Sequence, residues 1–323
     1  MDNPIEIRLK TCRSEIDRQL HEIGLPRAAR NLYEPMRYAL GAQGKRIRPF
    51  LTILVGEGFG IERARLMPAA VAIEILHTFS LVHDDIMDND THRRGQPTVH
   101  LKWDVNTALL SGDALLGLAF QTLMKTDTPV LQILGGGFSA TMLEICEGQA
   151  LDMAFESRGI VSETEYLEMV GKKTGALLGF ACQAGMLFDN YDPEIAVQLL
   201  LFGKNLGEAF QIQDDLLEIT SDIQSMGKSL GSDLAAEKKT YPLILALSDM
   251  TAAEQMNFVR FLKENHRDRE RIVIEFRKHG ALEDSKRKVS ELLSMAMERL
   301  TVLPEKLQAD LKNIVTLISN RKS

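Results

Sequence analysis

The chain has 323 residues, of which 45% are hydrophobic, and a formal net charge of −7 at pH 7. That length and apolar content suffice for a large core in one or two domains, and the acidic balance argues against a broad basic surface for nucleic acid or anionic lipid. The three cysteines are widely spaced, which indicates a reducing compartment and argues against a disulfide framework or a thiolate metal site. The N-terminus lacks the apolar segment of a signal peptide, and the longest weakly polar run, 175–188, is shorter than the ~20 residues that span a bilayer. We therefore expect a cytoplasmic protein with no membrane anchor and no nucleic-acid partner.

Four long segments repeat apolar residues at helical spacing and contain no internal proline. In chain order they are 69–88, 106–124, 193–219 and 283–303. Prolines such as Pro49 and Pro68 stand at the boundaries of helical segments, and the apolar run 175–188 predicts one more buried helix. There is no sustained alternation with a period of two and no repeat at a fixed spacing. The sequence predicts an all-α, single-domain protein over 1–323, with polar loops near 89–98 and 220–240.

Two of these helices end in acidic clusters. At 100° per residue, Asp84 and Asp88 project within ~40° of each other and Asp85 lies ~60° beyond Asp88. The second cluster, in FQIQDDLLEI, places its four polar residues within an arc of ~100°; they are Gln211, Asp214, Asp215 and Glu218. Like charges on adjacent turns near a helix C-terminus repel each other, so something positive must offset them. Because hard oxygen ligands suit Mg²⁺, which is usually completed by water and substrate phosphates, the two faces predict a site for a polyphosphate and magnesium.

Basic residues that suit a polyphosphate occur in four short turns. They are Lys45, Arg46 and Arg48 in GKRIRP; Arg93 and Arg94 in THRRGQP; Lys172 and Lys173, followed by Thr174, in GKKTG; and Lys228, Lys238 and Lys239 in MGKSLGSDLAAEKKTYP. The GKS at 227–229 is similar to a nucleotide-binding loop, but Asp222 stands where that loop needs a glycine and no strand precedes it. The GGG at 135–137 is interpreted as a helix break.

In combination, these motifs resemble those of a known family. GKRIRP, LVHDDIMD with RRG, KTG, FQIQDD and the final KKTYP occur in the order found in the trans-isoprenyl diphosphate synthases, the polyprenyl synthetase family. The likeness runs from about residue 30 to 320 of the sequence. It implies an all-helical bundle around a deep central cavity, usually a homodimer. The implied reaction joins isopentenyl diphosphate to an allylic diphosphate and releases diphosphate.

The resemblance also assigns roles to residues. It implies that up to three Mg²⁺ ions are held on the allylic diphosphate by Asp84, Asp85, Asp88, Asp214, Asp215 and Glu218. It places Arg93, Lys173, Lys228 and Lys238 on the same diphosphate, Thr174 and Gln211 beside the allylic cation, and Lys45, Arg48, His77 and Arg94 at the isopentenyl diphosphate site. His77 projects within ~20° of Asp84 two turns away, which agrees with this placement. Two departures stand out: Glu218 replaces a third aspartate, and Glu237 replaces a glycine that commonly precedes Lys238.

Product length depends, in the resemblance, on the fifth position before the first aspartate. Here that position is Phe79, followed by Ser80. The resemblance implies that a large ring at this position blocks chain growth. Helical projection alone does not predict this role, because Phe79 projects ~140° away from Asp84. The expected product is geranylgeranyl diphosphate, with farnesyl diphosphate second and a twenty-five-carbon product third.

Three other classes remain as alternatives. A terpene cyclase uses an aspartate-rich motif and magnesium but has no need of GKRIRP. A histidine–aspartate metal phosphohydrolase is suggested by His83 and Asp84 with His77, His92 and His100 nearby, although the repeated acidic motif is then unexplained. A catalytically silent partner subunit is the alternative without activity, and the two intact acidic motifs argue against it.

Overall fold

The computed structural model describes residues 4–220, 238–265 and 268–319. Almost all of them are helical, which confirms the all-α prediction. The helices of the first two thirds are α1 (Pro4–Glu22), α2 (Arg30–Leu40), α3 (Ile47–Gly58), α4 (Arg63–Met87), α5 (Val99–Lys102), α6 (Val105–Leu123), α7 (Leu131–Glu156), α8 (Glu163–Val170), α9 (Ala176–Ala184) and α10 (Pro193–Thr220). The remainder are α11 (Tyr241–Ser248), α12 (Ala252–Asn265), α13 (Arg269–Lys278), α14 (Ala281–Arg299) and α15 (Glu305–Ser319). A π-helical turn, Gly171–Gly175, joins α8 to α9, and a 3-10 turn, Leu300–Val302, follows α14.

The predicted loop at 89–98 contains a small hairpin. Strands β1 (His92–Arg93) and β2 (Gln96–Pro97) pair antiparallel, with Arg93 opposite Gln96. The two residues between them, Arg94 and Gly95, have φ of 53° and 76°. A two-residue hairpin turn of the favoured type needs positive φ at both positions, which explains the glycine of RRG. The hairpin turns the chain sharply just after the first acidic cluster.

The first of two compact units is formed by the described residues of Met1–Leu143, Leu177–Gly203 and Leu300–Asn313. Its central element is α4, which packs against α3 and α6. By length and composition α4 alone among the described helices passes as a candidate membrane span, yet 67% of its most apolar window is buried inside the protein. This burial is typical of the core helix of a globular domain. The acidic cluster at the end of α4 therefore rests on a rigid, packed support.

The second compact unit is formed by the described residues of Glu144–Ala176, Lys204–Arg299 and Ile314–Ser323. Its core joins α8, the later part of α10, and α11 to α14 through buried side chains such as Tyr166, Ile212, Tyr241 and Phe276. A capping box starts α8, because the Ser162 side chain accepts from the Glu165 backbone and Glu165 in turn binds the Ser162 N–H. The second acidic cluster lies on α10 in this unit.

The four predicted long helices are confirmed as α4, α6, α10, and α14 with its 3-10 turn, whereas two expectations about helix boundaries are wrong. The GGG at 135–137 does not break a helix, since α7 continues through it. A methyl group on Gly137 would lie 2.8 Å from the Phe180 ring, so glycine allows the ring to pack closely against α7. This packing offsets the destabilisation of the helix by glycine, which is about 1 kcal/mol relative to alanine. Pro68 lies inside α4 and Pro49 in the first turn of α3, because prolines near a helix start remove few or no hydrogen bonds.

Candidate active site

The first acidic face lies at the C-terminal end of α4, in the first unit. Asp84 and Asp85 belong to its last turn and Asp88 caps it. Asp85 is buried, with 4% of its surface exposed, and its Oδ1 accepts a 2.7 Å hydrogen bond from Arg93 Nε. Arg93 Nη2 also bonds Asp90 Oδ2 at 2.7 Å. The positive charge that the acidic face requires is thus supplied by the hairpin.

The pKa values of this pair reflect opposing influences. Burial is the largest effect on Asp85 and raises the pKa of its carboxyl, although Arg93 acts in the opposite direction. Burial alone would lower the pKa of Arg93, but Asp85, Asp90 and Asp84 together raise it. Arg93 therefore stays charged.

A basic cluster lies in the same unit, where GKRIRP opens α3; Arg48 is half-buried, whereas Lys45 and Arg94 are exposed. Arg48 Nη1 lies 3.2 Å from His77 Nε2, and Gly44 lies against the Arg94 guanidinium, since an added methyl group would be 2.7 Å from Arg94 Nη1. Burial, and then the neighbouring Arg94, lower the pKa of Arg48 to about 10. The pKa of His77 is well below its usual value, because it is buried among arginines. The structure thus brings together the residues that were predicted for one diphosphate, and Lys45 adjoins them in sequence.

Arg46 was expected to be one of the basic turn residues that offer charge to a polyphosphate, and its contacts contradict that expectation. Its backbone is left-handed, with φ of 52°, and its side chain points into the protein. Nη1 donates to Glu74 and Nε to Asp17, while Nη2 donates to the carbonyls of Leu40 and Ala42. Because these acceptors saturate the guanidinium, Arg46 supports the loop and does not present charge to a ligand.

The second acidic face lies on α10, in the second unit. Asp215 is buried, and its Oδ2 accepts hydrogen bonds from the Tyr166 hydroxyl at 2.6 Å and the Tyr241 backbone N–H at 2.8 Å. Its Oδ1 accepts from Gln211 Nε2 at 3.1 Å. Gln211 Oε1 in turn accepts from Thr174 Oγ1 at 3.3 Å. The predicted residues Thr174, Gln211 and Asp215 therefore form one continuous hydrogen-bonded chain.

Lys173 and Thr174 lie on the π-helical turn rather than in a surface turn. Lys173 Nζ donates to Asp152 Oδ2 at 2.5 Å. The turn is approached closely by α7, because a methyl group on Gly148 would lie 2.3 Å from the Lys173 backbone nitrogen. π-Helical turns inside helices are frequent at functional sites, since they redirect side chains and backbone groups. Here the turn presents Lys173 and Thr174 beside Gln211.

A cavity of about 100 Å³ connects these side chains. It is lined by Asp152, Tyr166, Met169, Val170, Lys173, Thr174, Gln211, Asp215, Lys238, Lys239 and Thr240. Five predicted site residues thus border the same cavity: Lys173, Thr174, Gln211, Asp215 and Lys238. Lys228 and Glu237 lie outside the described residues, so the predictions for them stay predictions. Asp214 and Glu218 are half-buried on the same helix as Asp215.

The donor chemistry of both faces fits magnesium. No group of three or more His, Cys, Asp or Glu side chains forms a closed metal site within 4–220, 238–265 and 268–319. Mg²⁺ does not need such a cage, because it binds through one or two carboxylates, water and substrate phosphates. His83 and His92 contact Leu109 and Thr91.

The predicted chain-length residues lie in the middle of α4. Phe79 is buried, and its ring packs against His83 with 4.8 Å between the centroids. Ser80 is half-buried and its hydroxyl bonds the His77 carbonyl of the same helix. The two positions therefore differ: the ring of Phe79 is packed against His83, whereas the Ser80 hydroxyl is bonded to its own helix.

Several residues of the site were not predicted from the sequence. Tyr166 and Tyr241 bind Asp215, and Asp152 binds Lys173. Gln149 is not among the residues that line the cavity; it is buried one turn before Asp152, and neither polar atom of its amide has a hydrogen-bond partner among the described residues. A signal existed for Gln149 and Asp152, which interrupt an apolar helix at positions one turn apart. No local pattern distinguishes Tyr166 from an ordinary core aromatic.

Comparison with known proteins agrees with this geometry. The polyprenyl synthetase family model matches residues 29–277. The chain is 37% identical to a short chain isoprenyl diphosphate synthase of Methanothermobacter thermautotrophicus, over 90% of this chain and 89% of that protein. It is 42% identical to a geranylgeranyl diphosphate synthase of Methanosarcina mazei, over 74% of each protein.

Matches to proteins named for other products also occur. They include a farnesyl diphosphate synthase of Haemophilus influenzae (42% identical, 67% of this chain and 76% of that protein) and a geranylfarnesyl diphosphate synthase of Natronomonas pharaonis (36% identical, 85% of each). Among solved structures, a geranylgeranyl pyrophosphate synthetase from Pyrococcus horikoshii superimposes with a TM-score of 0.92 at 33% identity and covers 99% of this chain and 100% of its own. The family, the fold and the acidic and basic motifs agree, and the chain belongs to the polyprenyl synthetase family of isoprenyl diphosphate synthases.

Proposed function

We propose that the chain is a geranylgeranyl diphosphate synthase that joins isopentenyl diphosphate to an allylic diphosphate. The carbon–oxygen bond of the allylic diphosphate breaks, and diphosphate leaves with the electron pair. The double bond of isopentenyl diphosphate then forms the new carbon–carbon bond to the allylic cation. The proton lost from the adduct passes to the departing diphosphate.

The basic cluster is the observation that carries this proposal. Burial lowers the pKa of Arg48 and of Arg94, and although Glu74 opposes both shifts, a neighbouring arginine lowers each further: Arg94 acts on Arg48, and Arg46 acts on Arg94. Positive charges therefore repel one another here. Arg48 Nε is also buried without a hydrogen-bond partner among the described residues. A buried N–H without an acceptor and neighbouring positive charges both destabilise the protein. A bound diphosphate would stabilise it, because its oxygens accept hydrogen bonds and its negative charge offsets the arginines. We assign isopentenyl diphosphate to Lys45, Arg48, His77 and Arg94.

The neutral state of His77 suits this assignment. Because its pKa is depressed, the ring carries no charge near neutral pH, and Nε2 accepts from Arg48 Nη1. The ring thus orients the guanidinium without adding a charge to its repulsion. The substitution H77N, which keeps a neutral acceptor, should raise KM for isopentenyl diphosphate more than it lowers kcat.

The acidic faces are proposed to hold magnesium and the allylic diphosphate. Asp84, Asp85 and Asp88 would hold metal on the first face, and Asp214, Asp215 and Glu218 on the second, with up to three Mg²⁺ per site. Bound magnesium would supply positive charge that stabilises the leaving diphosphate. Arg93, Lys173, Lys228 and Lys238 would bind the same diphosphate. Of these, Arg93 and Lys173 bind carboxylates in the structure, so each would exchange an ion pair for a substrate contact.

Thr174 and Gln211 are proposed to stabilise the allylic cation. The hydrogen-bonded chain from Tyr166 through Asp215 fixes the Gln211 amide, so that Oε1 faces Thr174. Two neutral oxygens held in place give the cation electrostatic stabilisation without a nucleophile that would capture it. Exclusion of water is equally necessary, because water would quench the cation.

Phe79 is proposed as the residue that stops chain growth. Its buried ring lies on α4 more than one turn before the first aspartate, in agreement with a wall below the diphosphates. The product is then geranylgeranyl diphosphate, with farnesyl and twenty-five-carbon diphosphates as the alternatives.

The protein is also proposed to be a homodimer and to be located in the cytoplasm. In the first unit, Val105, Leu109 and Leu110 of α6 are between 43% and 58% exposed. Adjacent exposed apolar side chains of this kind mark interaction sites, and a second copy is the partner that the family resemblance implies. Light scattering of the wild type and of L110E should give a dimer and a smaller species, respectively.

The proposed function is tested by an assay of purified protein with magnesium and labelled isopentenyl diphosphate. Dimethylallyl, geranyl and farnesyl diphosphates are supplied separately, and the dephosphorylated products are separated by chromatography. A main product of twenty carbons supports the proposal. Incorporation into another chain length rejects the assigned product, and no incorporation with any primer rejects the reaction itself.

A further inference from the structure

His83 contacts both the residue that stops chain growth and the neighbouring helix α6. It follows Phe79 by four residues and lies on the same face of α4. The two rings are in contact, with 4.8 Å between centroids and 60° between planes. On the α6 side, His83 Nε2 lies 3.2 Å from the Leu109 carbonyl, to which it donates, and 3.8 Å from Asp113 Oδ1. The imidazole thus links Phe79 to the backbone of α6.

The imidazole fits against α6 because residue 112 is a glycine. A methyl group there would lie 2.1 Å from His83 Nε2 and 2.3 Å from Cδ2. Real side-chain carbons essentially never approach other atoms within 3.0 Å. Any residue other than glycine at position 112 therefore requires the imidazole to move from its place.

We infer that Gly112 and His83 are positioning residues that fix the Phe79 ring and thereby set product length. This inference rests on the proposed function of Phe79 as the stop for chain growth. Neither residue touches the diphosphates in the proposal; both act through the ring. Gly112 provides the space, the Leu109 carbonyl fixes the imidazole, and the imidazole supports Phe79.

The substitution Gly112→Ala should displace both rings. The imidazole must shift by about 1 Å or more to reach an ordinary contact distance, and a packed interior transmits such a shift to the ring that it touches. A displaced Phe79 ring blocks the growing prenyl chain less completely, so we expect longer products. The fraction of product one isoprene unit longer than the wild-type product should rise at least threefold, while total isopentenyl incorporation stays within about twofold.

Gly117 supplies a matched control on the same helix. A methyl group at Gly117 would meet no atom within 4 Å. G117A therefore has the same effect on helix propensity as G112A without the clash. The double variant F79A/G112A tests whether the effect passes through Phe79, because two residues that act through one contact are not additive.

The product distributions of wild type, G112A, G117A, F79A and F79A/G112A are measured together, with crystal structures of wild type and G112A. Two results together support the inference. G112A gives longer products than wild type whereas G117A does not, and F79A gives the same product distribution with and without G112A. Equal distributions from G112A and wild type, or equal shifts from G112A and G117A, overturn it. If no variant incorporates isopentenyl diphosphate, the proposed function fails. The crystal structures still decide the inference, because an unmoved Phe79 beside a displaced His83 rejects it.

Discussion

Arg46 Nη1 donates a 2.5 Å hydrogen bond to Glu74 Oε1, and both side chains are only 2% exposed. Since Nε also binds Asp17 and Nη2 binds two carbonyls, Arg46 ties α1, α2 and α4 to the start of α3. Arg48, two residues further along the chain, is thereby fixed beside His77. The first arginine of GKRIRP thus supports the site through its ion pair.

Glu74→Gln should destabilise the protein by about 3 kcal/mol, because it removes the buried counter-ion of the buried Arg46 charge and leaves only Asp17, whose side chain is 39% exposed. Urea unfolding followed by circular dichroism measures this. Asp189→Asn is the matched control, since it removes an ion pair with Arg65 whose carboxylate is 51% exposed. The control should cost less than about 1 kcal/mol. Equal costs for the two variants would contradict the structural role of Arg46.

Tyr166→Phe should reduce kcat about tenfold while the protein stays folded. The change removes one of the described hydrogen bonds to Asp215, so Asp215 and Gln211 lose part of their fixed orientation. KM for the substrates should change less than kcat, because Gln211 is assigned to the cation and not to a diphosphate.

Tyr241→Phe is the control for this variant. The Tyr241 hydroxyl binds Glu163, whereas its backbone N–H binds Asp215 and is retained. Y241F should therefore keep a kcat within about twofold of wild type. A kcat for Y166F that is no lower than that of Y241F would remove Tyr166 from the site.

Stability should depend on pH through Glu208, in the second unit. Burial raises the pKa of Glu208 from 4.5 to about 7, although Asn205 and two lysines oppose the rise. The folded protein therefore retains the proton at pH values where the unfolded chain has lost it. The stability contributed by Glu208 is complete below pH 4.5 and is lost as the pH rises through 7.

Glu208→Gln should abolish this pH dependence and stabilise the protein by up to about 3 kcal/mol at pH 8. Urea unfolding at pH 5, 6, 7 and 8 gives the two profiles. Glu264→Gln, which changes an exposed carboxylate, should stay within about 0.5 kcal/mol of wild type at every pH. Parallel profiles for E208Q and wild type would show that Glu208 is ionised in the folded protein.

The fold and most of the site were predictable because their signals are local. Helical periodicity located α4, α6, α10 and α14, and the spacing of carboxylates predicted both acidic faces. Contacts that join residues far apart in the chain were not predictable. Nothing near Arg46 in the sequence distinguishes its burial from the exposure expected for Arg48, since the partner Glu74 is 28 residues away. The link from Tyr166 to Asp215 spans 49 residues, and the fit of His83 against Gly112 depends on the packing of two helices.

Phe79→Ala should lengthen the main product by at least one isoprene unit, because removal of the ring opens the wall that stops chain growth. Ser80→Phe should shorten the product, since it adds a second ring one position closer to the diphosphates. Ser80→Ala is the control: within the described part of the chain, the hydroxyl bonds the His77 carbonyl of its own helix and no other group, so the product should not change. Chromatography of the dephosphorylated products, with turnover measured in parallel, separates altered length from lost activity. If F79A and S80A both give the wild-type product at normal turnover, the stop lies elsewhere on the wall, and the role that family resemblance gives to Phe79 does not hold for this chain.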